Sequence, residues 1–194
     1  MSAQYLIWGP SNKVANAAVL GRLTGFDELG RLWSGEILTG EFPEDASLRM
    51  SSDFPKNTVL TDSLSSINSI IIGSTALKQF LEEQKLSHVE YHPVIVRDHK
   101  KKAIKTQYYI INPVSNIDCL DLTASRASMS RIDPLEVKSV KRLVLREDAV
   151  DASRQMFRIS NFDMVTLVRK DLAAAIDKAG FTGIRWIELL DYPE

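Results

Sequence analysis

The sequence has a single cysteine, almost no net charge and no long hydrophobic run. Cys119 alone cannot form an internal disulfide, so this chain of 194 residues must obtain its stability from its core. Lys and Arg number 24 against 25 Asp and Glu, a balance that gives no long-range attraction to polyphosphate or anionic membranes. The longest apolar runs are short, as at 70–72, whereas a membrane-spanning helix needs ~20 residues. The start of the chain, MSAQYLIWGP, also lacks the basic and apolar regions of a secretory signal. We therefore expect a cytoplasmic protein with no membrane partner, and the charge balance disfavours nucleic acid.

The motifs of the common enzyme classes are also missing. The sequence contains no GxSxG, HExxH or paired CxxC motif. The glycines of GRLTGFDELG have neither the spacing of a phosphate-binding loop nor that of a dinucleotide fingerprint. We therefore predict no catalytic set, no metal site and no cofactor, and expect a protein that is not an enzyme.

Glycine and proline divide the chain into two regions of one domain, 1–194. Residues 1–57 hold a short predicted strand at 4–8, a possible strand at 32–38, and many turn-forming residues. They predict a loop-rich N-terminal lobe that wraps the remainder instead of supplying most of its core. Residues 58–194 are more regularly patterned, and we expect them to form an α+β core.

Two stretches of the core region predict strand-helix-strand units. In the first, Leu77, Phe80 and Leu81 recur at helical spacing, with Ser74 or Thr75 as a plausible N-cap. A shift of 95 positions along the sequence superposes it on the second without a gap. The second helix carries an apolar stripe and ends before a glycine suited to the C′ position. These residues are Leu172, Ala175, Ile176 and Gly180. The pairs show little identity, so an internal duplication stays open.

Further strands are predicted at 105–112, 141–146 and 155–159. Because strands cluster between only two clear helices, the fold class is α+β, with a mixed sheet, helices on one side and the two strand-helix-strand units.

The stretch NPVSNIDCLDLTASR at 112–126 allows two interpretations. Asp118 and Asp121 could form a carboxylate pair that holds a cation or serves acid-base chemistry, as in a small hydrolase-type enzyme. Alternatively, one of them caps a helix that begins at about Leu122 or fixes the turn after Pro113, and Cys119 packs as a small apolar residue. No protease-type signature surrounds the cysteine, and the framework interpretation is favoured.

The histidines and lysines also have simple structural interpretations. His88, Glu90 and His92 would share one face of a strand, which favours a solvent-facing surface over a metal site. DHKKKAIK at 98–105 separates two strand-like segments and predicts a solvated hairpin tip, with binding of an acidic partner or RNA as the alternative. The three tryptophans are interpreted as core or lobe-joining residues.

The stretches YYIINPVSNIDCLDLTASR, QMFRI and LVRKDLAAAIDKAGFTGIRW resemble a known family. They are similar to the immunity-protein family of bacterial polymorphic toxin systems, which includes the myxobacterial-type immunity proteins. The resemblance covers about 58–194 and rests on the order and spacing of its motifs. The matching positions are Tyr108, Tyr109, Asn112, Asp118, Asp121, Ser125, Phe157, Arg158, Gly183 and Trp186.

The resemblance implies a protein that binds and neutralises a cognate toxin, often encoded adjacently. Our hypothesis is that it does so by covering the toxin's active site, and that the motif residues are framework shared by members with different toxins. Contact residues are then expected in charged loops. The candidate interface consists of Glu41, Glu44, Asp45, Lys100, Lys101 and Lys102.

Overall fold

The computed structural model describes residues 4–192 and is built mainly from strands. The strands are β1 (Tyr5–Pro10), β2 (Val19–Thr24), β3 (Ser47–Met50), β4 (Ser63–Ser66), β5 (Ile71–Ser74), β6 (Val89–Arg97), β7 (Tyr108–Pro113), β8 (Ser128–Met129), β9 (Val137–Ser139), β10 (Met156–Ile159), β11 (Phe162–Arg169) and β12 (Ile184–Glu188). The α-helices are α1 (Leu29–Trp33), α2 (Thr75–Glu83) and α3 (Lys170–Lys178). Glu147–Ala149 and Leu189–Asp191 are 3₁₀ turns. The composition of elements is broadly that of an α+β fold with few helices.

Six strands form a closed barrel in the order β2-β3-β6-β7-β5-β4. Parallel pairing of β2 with β4, which sets Leu20 opposite Ser66, closes it. Leu48 and Val96 are buried on neighbouring strands, while the residues that follow them in sequence are more exposed. This alternation is what a half-buried strand requires, and it fills the barrel with apolar side chains.

A separate antiparallel sheet has the order β10-β11-β1-β12. The N-terminal strand β1 pairs with β11 on one side and β12 on the other. Trp8 Nε1 donates a hydrogen bond to Ser63 Oγ in the barrel at 3.2 Å. The single mixed sheet expected from the sequence is therefore a barrel, this sheet and the two-stranded sheet of β8 and β9. Pairing partners are fixed by contacts between distant segments that local patterning does not contain.

Both strand-helix-strand units share one topology. In β5-α2-β6 the two strands lie on either side of β7, and in β11-α3-β12 they lie on either side of β1. The central strand is antiparallel to both flanking strands in each case. The two helices begin at residues 75 and 170. This separation of 95 positions equals the shift that superposes the two stretches of sequence.

The helices of the two units pack together between the barrel and the sheet. Leu77 and Leu81 of α2 share one buried cluster with Leu172 and Ile176 of α3. The ring centroids of Trp8 and Trp186 lie 5.2 Å apart in an edge-to-face arrangement within the same layer. This shared apolar layer joins the barrel to the sheet.

The predicted helix ends agree with the structure. Ser74 is the N-cap of α2, and its hydroxyl accepts a hydrogen bond from the Leu77 amide at 3.2 Å. Gly180 follows the C-cap of α3 with a φ of 79°. That left-handed conformation favours glycine, which explains the residue at this position.

The N-terminal third contributes directly to the barrel core. More than half of the buried residues in the barrel core come from residues before 57, including Leu20, Leu38 and Leu48. Strand pairing also crosses the expected boundary near 58, because β2 pairs with β4 and β3 pairs with β6. Turn-rich composition indicated the loops here correctly but gave no information about which apolar side chains are buried.

Two predicted strands are absent from the described residues. At 32–38 the chain forms the end of α1 and a turn, and Leu32 and Leu38 are both fully buried there. At 141–146 there is only an isolated bridge between Leu120 and Leu145. Both stretches contain several apolar residues, but no neighbouring strand offers them a ladder.

No helix within residues 4–192 has both the length and the apolar character needed to cross a bilayer.

Candidate functional site

The two aspartates of the 112–126 stretch have separate structural partners. The Asp118 carboxylate forms an exposed ion pair with Arg146, with Oδ1 and Nη2 2.8 Å apart. The Asp121 carboxylate accepts a hydrogen bond from the Ala124 amide at 2.8 Å and thereby caps a turn. These contacts support the framework interpretation, since each carboxylate serves local structure.

Neither Cys119 nor Ser125 is placed as a nucleophile. Cys119 is fully buried, and burial raises the pKa of its thiol to about 12. Ser125 is also fully buried, with its hydroxyl donating to the Val144 carbonyl and accepting from the Val144 amide. A protonated thiol and a fully occupied hydroxyl are poor nucleophiles.

Arg158 and Asn112 form a buried polar junction. Arg158 is fully buried, and its Nη1 donates to Asn112 Oδ1 at 2.9 Å and to the Leu32 carbonyl at 3.0 Å. Burial lowers the pKa of its guanidinium to about 10. The side chain thus ties β10 to β7 and to α1, which is a framework role for two residues of the family pattern.

The remaining family-pattern residues also lie in packing positions. Phe157 is fully buried with its ring 5.1 Å from that of Tyr5. Trp186 Nε1 donates to Asp177 Oδ1 at 2.8 Å. The other contacts link strands or helices. Tyr108 donates to the Thr61 carbonyl, the Tyr109 ring lies 5.3 Å from Lys78 Nζ, and Gly183 abuts Ser63.

The histidine prediction needs correction. His92 is buried rather than solvent-facing, and its ring stacks on Phe42 with centroids 4.6 Å apart. His92 Nε2 lies 3.2 Å from a Glu90 carboxylate oxygen, and burial lowers the pKa of the imidazole. His88 lies in the turn before β6 with a φ of 61°. Sequence alternation could not show that the loop containing Phe42 covers this part of the strand.

Glu90 anchors that loop to the barrel. Its carboxylate accepts hydrogen bonds from the Leu38 amide at 2.8 Å and the Thr39 amide at 3.0 Å. Burial raises the pKa of Glu90, but these hydrogen bonds outweigh it and the net pKa is lowered. Across residues 4–192 no group of three or more potential ligands could hold a metal ion.

The predicted acidic loop is exposed but partly engaged. Glu41 pairs with Arg31 at 2.8 Å, and Arg31 also binds Glu28 and Glu36. The hydrogen bonds that the arginine donates to these carboxylates, with that to Glu36 first, raise its pKa. The remaining loop acids, Glu44 and Asp45, are exposed and lie before the start of β3.

The predicted lysine tip is an ordered turn between β6 and β7. The Asp98 carboxylate accepts hydrogen bonds from the amides of Lys100 at 2.8 Å and Lys102 at 2.9 Å. Lys101 has a φ of 67°, and all three lysines are exposed. Because β3 and β6 run parallel, the acidic loop and the lysine tip lie at opposite ends of this strand pair.

A groove of about 590 Å³ on the outer face of the barrel contains four basic residues. They are Arg22, Arg49, Arg97 and Lys101, and we call this the cationic groove. Hydroxyl groups of serine and threonine also line it, whereas no acidic residue does among the described residues. Its electrostatic character suits an anionic ligand.

Strand register produces the groove. Arg49 on β3 lies opposite Arg97 on β6. On the other side, β2 has a bulge between Leu20 and Leu23, which places Gly21 and Arg22 opposite Arg49. Sequence reasoning identified only Lys101, because the arginines come from three strands far apart in the chain. The one signal of the groove in the sequence is that each of these strands has an arginine next to apolar residues.

The chain was also compared with known proteins. The family model described as the Immunity protein family (Imm11) matches residues 11–191. The chain belongs to this immunity protein family. The predicted family resemblance is thereby confirmed. The family match also includes most of the N-terminal third, whereas the resemblance predicted from the sequence began only near 58. A comparison with curated proteins gave no match.

Proposed function

We propose that this Imm11 protein binds a cognate toxin and neutralises it by covering the toxin's active site. Family membership over residues 11–191 supports toxin immunity as the general role. The main observation in favour of direct binding is the cationic groove beside the ordered lysine tip. It presents positive charge on an ordered surface, without a neutralising partner among the described residues. In this proposal residues 1–194 act as one cytoplasmic domain without a cofactor.

The mechanism depends on a surface that needs little rearrangement. The barrel is closed and the tip is fixed by Asp98, so few rotatable backbone segments must be ordered on binding. Complementary charge accelerates encounter with the toxin, and a few buried anchors supply most of the affinity. Ile37, which is 65% exposed beside the acidic loop, is one candidate for such an anchor.

The candidate contacts are divided between two ends of the barrel strands. Lys100, Lys101 and Lys102 form one contact region with the cationic groove. Glu44 and Asp45 form the other contact region, whereas the Glu41 carboxylate is already paired with Arg31. A toxin that spans both ends would meet opposite charges in a fixed order, which favours a single orientation.

Growth protection tests the proposal. The gene product encoded next to this protein is expressed alone and together with the full-length chain, and the complex is purified at near-physiological salt. We expect arrest of growth by the neighbour alone, rescue by co-expression and a stoichiometric complex. Rescue without any complex, or no rescue by well-expressed chain, would contradict neutralisation by binding.

A Lys100→Glu, Lys101→Glu, Lys102→Glu variant then tests the tip. We expect weaker complex formation and weaker rescue, because charge reversal removes attraction and adds repulsion. The matched control reverses three exposed basic residues on another face, Arg131, Lys138 and Lys141. Equal rescue by both variants would exclude the tip from the interface.

A further inference from the structure

We propose that the cationic groove is the recognition site for an acidic segment of the partner protein. The inference deepens the proposed function and rests on it, since it names the chemistry of the toxin surface that this chain recognises. The segment supplies two or more carboxylates, which the guanidinium groups of Arg22, Arg49 and Arg97 bind.

The arrangement of the arginines concentrates positive charge at a cost to the fold. Arg49 and Arg97 are register partners on adjacent strands, and like charges on neighbouring strands repel. The bulge in β2 adds Arg22 to the same row, since it sets two residues opposite Arg49. Bulges commonly redirect a side chain beside a functional site. A row of three arginines across neighbouring strands, which lie about 5 Å apart, matches carboxylates on a short extended segment.

Several arginines elsewhere in the chain are paired within it. Arg31, Arg146 and Arg169 each form an ion pair with at least one carboxylate. Among the residues 4–192, none of the cations of the groove has a carboxylate within ion-pair distance. Arg97 contacts only the carbonyl oxygen of Lys101, at 3.5 Å. The groove therefore keeps its donors available for an external acceptor.

The chemistry of the lining favours a protein segment over nucleic acid. The planar fork of arginine binds carboxylate in a bidentate manner, and Ser47 and Thr24 offer hydroxyls beside it. No aromatic residue is present in the described lining to stack a base. The net charge of −1 also provides no general attraction to polyphosphate.

The test uses a triple variant, Arg22→Gln, Arg49→Gln and Arg97→Gln, of the full chain. Its control is Arg131→Gln, Lys138→Gln and Lys141→Gln, which changes the net charge equally at exposed positions away from the groove. Urea unfolding establishes that both variants are folded. Fluorescence anisotropy then measures binding of a labelled hexaglutamate peptide and of a labelled twelve-nucleotide single strand.

We expect hexaglutamate to bind the wild type and the control alike, and the groove variant about tenfold more weakly, since exposed ion pairs each contribute a few-fold. Preferential binding of the oligonucleotide through the groove would overturn a protein segment as the ligand. Equal peptide binding by both folded variants would overturn the groove as the site.

The growth assay separates this inference from the proposed function. If the wild type rescues growth and the groove variant rescues equally well with unchanged complex affinity, the groove inference fails while toxin neutralisation stands. If the wild type itself gives no rescue, the proposed function fails. Loss of rescue in the groove variant but not in its control supports both.

Discussion

Replacing Gly183 by alanine tests how the sheet is joined to the barrel. Gly183 has a φ of 87°, a conformation that residues with a Cβ rarely adopt. An added Cβ would overlap the Ser63 carbonyl oxygen and lie 2.6 Å from Thr61 Oγ1. The neighbouring Thr182 makes hydrogen bonds to the same barrel segment, and its carbonyl accepts one from the Ser63 amide at 3.0 Å. The substitution therefore disturbs a close approach between the backbone just before β12 and the barrel.

The expected loss of stability has two parts. The left-handed conformation costs about 1 kcal/mol for a residue with a Cβ. Displacing the Ser63 backbone adds about 2 kcal/mol, within the range for overpacking of a fitted site. Gly180→Ala is the matched control, since its φ is 79° but nothing lies within 4 Å of the added Cβ. We expect about 3 kcal/mol for Gly183→Ala and about 1 kcal/mol for Gly180→Ala.

Urea unfolding of the three proteins, followed by tryptophan fluorescence, measures both losses. With an m value of about 2 kcal/mol/M, Gly183→Ala should lower the midpoint by about 1.5 M and Gly180→Ala by about 0.5 M. Equal midpoints for the two variants would refute the reasoning, because both carry the conformational cost and only one carries the steric overlap.

Three further results are expected. Ser74→Ala removes the N-cap of α2 and should lower stability in urea by about 1 kcal/mol, and an unchanged midpoint would contradict the cap. Acidification should destabilise the protein through His92. Burial lowers the folded-state pKa of His92. The unfolded chain therefore binds an extra proton as the pH falls below about 6.5. Stability is lost from that pH down to the pKa of the folded state. The urea midpoint should be lower at pH 5.5 than at pH 7.5, and this difference should be smaller in His92→Gln. Equal differences in the two proteins would exclude His92 as the cause. Finally, Asp118→Asn with Asp121→Asn keeps the polar shape at both positions and should leave growth rescue intact, whereas an enzyme acting through these carboxylates would lose it.

The sequence predicted the local elements well because their signals are local. Helical spacing and the cap residues Ser74 and Gly180 located α2 and α3, since both the apolar stripe and the cap act within a few residues. The strands near 105–112 and 155–159 were found in the same way and appear as β7 and β10.

Long-range pairing was not predictable from local patterns. The barrel closes through pairing of β2 with β4, and nothing in either segment specifies the other. The strand predicted at 32–38 failed because Leu32 and Leu38 are buried from a helix and a turn, and apolar content alone does not distinguish that arrangement from a strand.

The candidate site was only partly predictable for the same reason. Lys101 belongs to a contiguous basic run and was identified, whereas Arg22, Arg49 and Arg97 meet only after three strands pair. The framework role of Asp121 was available as an alternative because a turn cap is a local interaction.

Closure of the barrel limits how a partner can engage it. Every barrel strand already has a neighbour on both sides, so a toxin cannot add a strand of its own there. Recognition on this face is confined to outward side chains, which can be exchanged without disturbing the hydrogen-bonded ladder beneath them. A barrel of this kind can thus change its specificity from toxin to toxin while its backbone stays constant.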